Sequence, residues 1–331
     1  RFGIGQSMSF PTVYSNQRKK LQADYQTAQV VAVLSEMEIK AQVRQLFYEY
    51  KLLHERQKLL QYADSLYQQF EERSNLRFDK GETDILQKTA ATARRQQIAN
   101  QLQLLTDDML ILLRSFNFLL QSEGKYVPAT DSQTRIELGT LATDTATDQL
   151  PQMQLEHFRQ QSAFYQYKTE NAQRLPDFKL GYNNQSLIGV QQIAGTEQYF
   201  SGSKRFGYVT AGIGIPLFTK AFSARIDAAK TEWERTTAEA NLTKIRLETE
   251  LSNTEAIVGK FGRSLSFYEQ QVLGNAEVII NTANQKLDAG EIDYLQWVIL
   301  ADQAITIKSQ YLDAILQYNT AAIQLLKLNN L

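Results

Sequence analysis

Two periodicities take turns along this chain. From Phe2 to Phe10, Phe2, Ile4, Met8 and Phe10 lie on one side and Gly3, Gly5, Ser7 and Ser9 on the other, with Gln6 the one polar residue on the apolar side. Period two predicts a strand over residues 2–11, closed by Pro11. From residue 13 the period becomes helical. Ile39, Val43, Leu46, Tyr50 and Leu53 follow steps of four and three, the seam of a coiled coil. No Gly or Pro interrupts the stretch, so one helix is expected over 13–76, about 95 Å long at 1.5 Å per residue. A shorter helix is expected over 84–120, with Leu102, Met109, Leu112, Phe116 and Leu119 among its apolar positions. Residues 121–150 are polar and rich in Thr, Asp and Gly, which predicts a connector.

The second half repeats this order behind two extra elements. Pro151 opens a helix expected over 151–174. A strand follows over 176–187, with Phe178, Leu180 and Tyr182 set against Lys179, Gly181 and Asn183. Residues 188–203 are polar with Gly and Ser, and are expected to be a solvent loop. The strand over 204–217 places Val209, Ala211, Ile213 and Ile215 on one face and Thr210, Gly212 and Gly214 on the other, before Pro216. A second long helix is expected over 220–286. Its seam of Leu247, Leu251, Thr254, Val258, Phe261, Leu265, Tyr268 and Val272 keeps the four-three alternation throughout. A last helix is expected over 292–328.

Each long helix ends in the same short phrase. DKGETDILQ (79–87) and DAGEIDYLQ (288–296) share Asp, Gly, Glu, Asp, Leu and Gln at matching positions. Gly81 and Gly290 are residues at which a helix can stop, because only Gly enters the left-handed C′ conformation without a side-chain clash. Glu82 with Asp84, and Glu291 with Asp293, then crowd the expected first turn of the next helix, where exposed N–H groups favour negative charge. Gln87 and Gln296 close the two phrases. Each reads as the tip of a helical hairpin, and the duplication divides the chain into repeat 1 (1–120, tip 77–84), a connector (121–150) and repeat 2 (151–331, tip 287–292). Pro11 and Pro216 stand 205 positions apart and Gly81 and Gly290 209, a difference of about one helical turn. Repeat 2 carries a helix and a strand that repeat 1 lacks. Their counterparts are expected upstream of Arg1, which makes four strands per chain, three of them visible here.

Composition narrows the chemistry. The 331 residues carry a formal net charge of −1 and no cysteine, so neither a basic nucleic-acid footprint nor a disulfide or thiolate metal site is expected. No apolar run reaches the ~18–20 residues of a spanning helix. His54 and His157 stand alone, without ligand spacing, and read as surface or packed residues. Gly3/Gly5 and Gly212/Gly214 lie on a strand face rather than in a phosphate loop. No nucleophile–base pair or carboxylate dyad is recognisable, so no enzymatic activity and no cofactor are expected.

The strands are apolar on one face and small or polar on the other, with the length of a tilted membrane strand, ~9–11 residues. A soluble sandwich is the competing reading, but the Gly/Ser face is too small to support a second packed layer. Four strands cannot close, an open edge is not tolerated in lipid, and the smallest membrane barrels have ~8 strands. Copies of the chain must then share one barrel, with Phe2, Ile4, Met8, Phe10, Phe178, Leu180, Val209, Ala211, Ile213 and Ile215 facing lipid. Tyr14, Phe178, Tyr182, Phe218 and Phe222 fall near strand ends, where an aromatic girdle belongs; packing alone explains any one of them equally well. The tip carboxylates likewise have two readings. They are helix caps, or a ring of acids repeated by symmetry at the mouth of the helical tube that attracts cations or docks a partner. The fold class is therefore mainly α with a small membrane β-barrel portion: two tandem repeats of strand, long helix, tip and short helix, in which coiled-coil hairpins form an α-barrel. A soluble coiled-coil scaffold or periplasmic adaptor is the alternative, and it leaves the alternating strands idle.

This order of elements, the strand ends SFPTVYS and GIPLFTK and the tips G-E-x-D-x-L-Q resemble the TolC-type outer-membrane efflux family over essentially the whole chain. The resemblance implies a homotrimer with a twelve-stranded barrel in outer-membrane lipid, continued by a helical barrel in the periplasm. It implies an exit duct that works with a periplasmic adaptor and an inner-membrane pump. SFPTVYSNQRKK is similar to the subset attached to heavy-metal pumps of the RND type, including versions fused behind the pump. One position departs from the pattern. Where the family's best-known gate carries Asp side chains about six residues after the tip Gly, this chain has Gln87 and Gln296.

Overall fold

The computed structural model describes residues 1–81, 84–121, 125–131, 133–139, 147–217 and 220–329. Its first strand, β1 (Phe2–Met8), is shorter than the alternation predicts. Pro11 does not close the strand but opens the helix α1 (Pro11–Asp79), because its fixed φ and missing N–H suit a first helical position. Then come α2 (Ile85–Leu119), a 3-10 turn (Thr147–Gln149), α3 (Pro151–Ala172), β2 (Asp177–Gln185), β3 (Gly189–Ile193), β4 (Thr196–Phe200) and β5 (Phe206–Gly214). The chain ends with α4 (Lys220–Phe267), a π-helical turn (Tyr268–Val272), α5 (Leu273–Asp288) and α6 (Tyr294–Leu328).

Two of these elements correct the sequence reading. Residues 188–203 are not a solvent loop; they contain the antiparallel hairpin β3–β4, in which Val190 pairs with Tyr199 and Gln192 with Glu197. The turn is made by Ala194 and Gly195, both at positive φ (50° and 84°), the primed geometry that matches strand twist. The helix expected over 220–286 is not uniform either. A π-turn interrupts it just before Gly274, and the four-three pattern shows no change of period there because the extra residue is absorbed within one turn.

The chain folds into two compact units, residues 1–34 with 147–246 and residues 35–146 with 247–331. Each draws on both halves of the sequence, so the compact units are not the repeats. In the first, β1, β2 and β5 form an antiparallel sheet in that order. Here α3 is held to the start of α1 by Asn16, whose side chain donates to the Lys168 carbonyl at 3.3 Å, and by the Ser162–Asp24 hydrogen bond. On its other side Phe164 and Tyr167 pack on Trp233 of α4, at ring separations of 5.1 and 6.1 Å.

The second unit is a set of helices packed on small residues. Ala63, Ala91, Ala276 and Ala301 are each fully buried among Tyr67, Phe70, Ile280 and Trp297. Alanine lets the helix axes approach, and the aromatic rings fill what remains. Leu247, Thr254 and Leu265 of the α4 seam are buried as the pattern predicts. The α1 seam begins later than expected: Ile39 is 48% exposed, while Met37 and Ala41 on the adjoining face are buried. Substituting Ala301→Leu is expected to overpack this core at a cost of ~1–3 kcal/mol. Thermal unfolding followed by circular dichroism in detergent checks this, and an unchanged midpoint contradicts it.

Candidate functional site

The tips are built almost entirely by backbone rules. Gly81 and Gly290 both sit at φ +74°, and each N–H turns back onto its helix: Gly81 donates to the Phe78 carbonyl at 2.9 Å and Gly290 to that of Leu287 at 3.1 Å. At the second tip the Glu291 N–H also donates to the Lys286 carbonyl at 2.9 Å, which completes a Schellman closure. A Cβ at either glycine would meet nothing within 4 Å, so the requirement for Gly is conformational rather than steric.

The helices restart on aspartate. Asp84 accepts the Gln87 N–H at 3.0 Å, and Asp293 accepts the Gln296 N–H at 2.7 Å. At the second tip the Gln296 side chain accepts the Asp293 N–H at 3.3 Å in return, a full capping box. Gln296 therefore has a cap to hold. Glu291 is not in the first turn of α6, as expected from the sequence; it closes α5, and its carboxylate lies 3.6 Å from Lys286 Nζ. Glu82 lies outside the described residues.

Cations from α1 and α2 flank these turns. Arg73 pairs with Asp288 at 3.0 Å, the Arg77 guanidinium stands 5.3 Å over the Tyr294 ring, and Lys88 4.7 Å over Phe78. Both side chains of the Arg73–Asp288 pair are half exposed or more, so solvent screens it and its contribution is small.

A stronger connection lies farther along the helices, and the sequence reading missed it. One carboxylate oxygen of Asp302 on α6 accepts the Tyr67 hydroxyl of α1 at 2.6 Å and the Arg94 Nε–H of α2 at 3.1 Å, and a further Arg94 N–H donates to the same oxygen. Three helices thus meet at one oxygen. Burial raises the Tyr67 phenol well above its ordinary range, and the Asp302 hydrogen bond adds to this, so the hydroxyl remains a donor. The residues are too far apart in sequence for any local spacing to reveal them. The usable signal was a Tyr and an Asp beside fully buried alanines on an otherwise apolar face.

The sheet is the other half of the site. Its register aligns Met8–Phe178–Ile213, Gln6–Leu180–Ala211 and Ile4–Tyr182–Val209 across three strands. All the residues expected on the apolar face except Phe10 are exposed. Ile4 is 72%, Val209 68% and Ile213 67% exposed, so nothing in the described chain covers this face. Ile215 is exposed just past the end of β5. Phe10 is half-buried, with its ring 6.1 Å from that of Phe178. Of the expected girdle, Tyr14 and Tyr182 are exposed and Phe222 is half-buried, while Phe218 lies outside the described residues.

The opposite face carries the row Gly5–Gly181–Thr210, with the Thr210 hydroxyl donating to the Gly181 carbonyl at 3.3 Å. Among the described residues no cluster of three or more His, Asp or Glu has metal-binding geometry. His157 contacts Gln161 at 2.7 Å. Among the described residues no helix is long and apolar enough to cross a membrane.

Removing the cap with Asp293→Ala is expected to cost ~0.5–2 kcal/mol locally and to fray the first turn of α6. Asp84→Ala, which removes the cap bond to the Gln87 N–H, is expected to fray the first turn of α2 in the same way. Amide hydrogen exchange over residues 294–298 and 85–89 reads both; unchanged protection in Asp293→Ala contradicts the assignment.

Comparison with known proteins bears on the same features. The fold matches the Campylobacter jejuni CmeC outer membrane channel with a TM-score of 0.83 at 11% identity, over 98% of this chain and 69% of that one. It matches CusC, whose structures concern folding and transmembrane channel formation, with a TM-score of 0.82 at 14% identity, over 98% and 76%. The outer membrane protein VceC of Vibrio cholerae gives 0.80 at 14%, over 98% and 78%. At such identities the likeness is one of fold. No curated protein matches the chain by sequence. Residues 142–330, more than half of the chain, match the sequence model of the outer membrane efflux proteins, and the chain belongs to that family.

Proposed function

We propose that the chain is one protomer of a trimeric exit duct, a shared β-barrel in the outer membrane continued by a helical barrel in the periplasm. The duct passes substrate outward from an inner-membrane pump and a periplasmic adaptor. The observation that carries this reading is the sheet β1–β2–β5, whose apolar face is exposed and whose two outer edges are unpaired among the described residues. Every backbone N–H and C=O in lipid must find a partner, at a cost of several kcal/mol for each failure. Three strands cannot satisfy that condition. Copies that join edge to edge can, and three copies with four strands each reach a size at which membrane barrels close. On this reading Phe2, Ile4, Met8, Phe178, Leu180, Val209, Ala211, Ile213 and Ile215 meet lipid, and the Gly5–Gly181–Thr210 face lines the passage.

The tips form the periplasmic mouth. The duct opens when the α5–α6 hairpin swings away from α1, which breaks the Tyr67–Asp302–Arg94 contacts. Nothing in this scheme needs a catalytic residue.

Purified protein is expected to require detergent, to run as a trimer in light scattering, and to conduct ions in a planar bilayer. A monomer that stays soluble without detergent and shows no conductance contradicts the proposal.

A further inference from the structure

The two ends of the three-stranded sheet differ. At one end β1 stops, β2 begins and β5 stops, and there the sheet joins α1, α3 and α4. At the other, Phe2 pairs with Asn184 and Gln185 with Phe206, and the β3–β4 hairpin follows. Along β5 the apolar face runs from Ile215 through Ile213, Ala211 and Val209 to Gly207, and the next residue of that face is Arg205. Arg205 and Ile215 are ten positions apart, ~33 Å along a strand and ~25 Å across a bilayer at a tilt of ~40°, the height of a barrel's apolar band. On β2 the same face turns polar at the same level, where Asn184 follows Tyr182.

The side chains at this level hold one another. Arg205 Nη1 donates to Asn184 Oδ1 at 3.1 Å, and Asn184 Nδ2 donates to the Tyr182 hydroxyl at 3.2 Å. The hydroxyl accepts there and keeps its own proton to give. The Tyr182 ring stands edge-on to Phe2 at 6.2 Å. Lys204 is seated at the root of the hairpin, with Nζ 4.4 Å from the centre of the buried Phe200 ring and 6.0 Å from that of Phe206. The turn before the two cations is fastened as well: the Lys204 N–H donates to the Ser201 carbonyl at 3.1 Å, and the Ser186 hydroxyl to that of Gly202 at 2.9 Å. Both cations are exposed, and among the described residues neither forms an ion pair.

This is a cluster of donors at the margin of an apolar face. A guanidinium there is costly beside hydrocarbon and favourable beside an anion, and its planar fork matches the oxygens of a phosphate. No wall closes over the cluster, so a small free ion would gain little beyond the charges. An anion attached to acyl chains gains more, because the chains lie along Val209, Ile4 and Ile213.

We propose that Arg205, Lys204 and the Tyr182 hydroxyl form a site for the phosphorylated sugar headgroup of an outer-leaflet glycolipid. Arg205 grips a phosphate, Lys204 adds a second positive charge, and Tyr182 donates to a sugar or acyl oxygen. Asn184 is a positioning residue, since it holds Arg205 and Tyr182 together. The proposal rests on the duct reading, which puts the helices in the periplasm and this end of the sheet at the outer surface.

The test is a titration of the full chain, purified in detergent, with bisphosphorylated lipid A, read by native mass spectrometry. Arg205→Gln is expected to weaken binding about tenfold, and Arg205→Lys, which keeps the charge and loses the fork, about threefold. Lys230→Gln removes the same charge from α4 and is expected to leave binding unchanged. Dephosphorylated lipid A is expected to bind the unaltered protein as weakly as lipid A binds Arg205→Gln. Should Arg205→Gln fail to assemble, Lys204→Gln takes its place, with an expected loss of about threefold.

Undiminished binding in an assembled Arg205 variant overturns the site. So does an equal loss in Lys230→Gln, which would make the effect one of net charge alone. Inorganic phosphate binding as tightly as lipid A overturns the glycolipid assignment. A protein that does not conduct but binds lipid A through Arg205 rejects the passage and keeps the site. One that conducts without this preference rejects the site alone.

Discussion

A sheet that shows Ile4, Val209 and Ile213 to its surroundings, and among the described residues leaves an unpaired edge on β1 and on β5, is not a finished structure in water. The apolar face calls for lipid, and lipid forbids the open edges. On the proposed reading, strands from other copies continue the sheet until it closes, and both conditions are met. The small opposite face follows from the same constraint. On that reading Gly5, Gly181 and Thr210 keep the interior clear where a larger side chain would fill it. At Gly181 an added Cβ would lie 2.7 Å from the Thr210 hydroxyl.

The helical part answers a different problem, which is to pack very long helices closely side by side. Coiled-coil seams packed on alanine give straight, closely spaced helices. Each hairpin is turned with a single left-handed glycine and an aspartate cap, so the turn itself needs no tertiary support. Polar contacts of different kinds tie the helices together: Lys51 and Asn319 hold the connector backbone, Asp302 accepts from Tyr67 and Arg94 on one oxygen, and the Arg73–Asp288 pair is exposed.

What the sequence made legible was whatever local geometry dictates. Period two located β1, β2 and β5, four-three steps located the long helices, and one repeated phrase located both tips. The caps at Asp84 and Asp293 were visible because capping is a matter of three or four residues. The reading erred where the deciding partner was remote or left no residue signature. Ala194 at positive φ gives no sign of a primed turn, so β3–β4 read as loop. The π-turn preserves the seam on both sides of itself. Asn319 and Ile136 are 183 residues apart, and an Asn on a helix face says nothing of the backbone it will hold. Ile39 fits the α1 seam by spacing, yet the neighbouring face is the one that is buried. Glu291 was assigned to the wrong helix because the Gly that separates the two helices is followed by a further turn residue.

The central claim is that alternate residues of the sheet face lipid and water. Single cysteines placed along β1, in a chain that has none of its own, test it directly. Labelled in liposomes, Ile4→Cys and Met8→Cys are expected to be quenched by a lipid-soluble agent and shielded from a water-soluble one, with Gly5→Cys and Ser7→Cys showing the reverse. Uniform quenching from water along the strand contradicts the account.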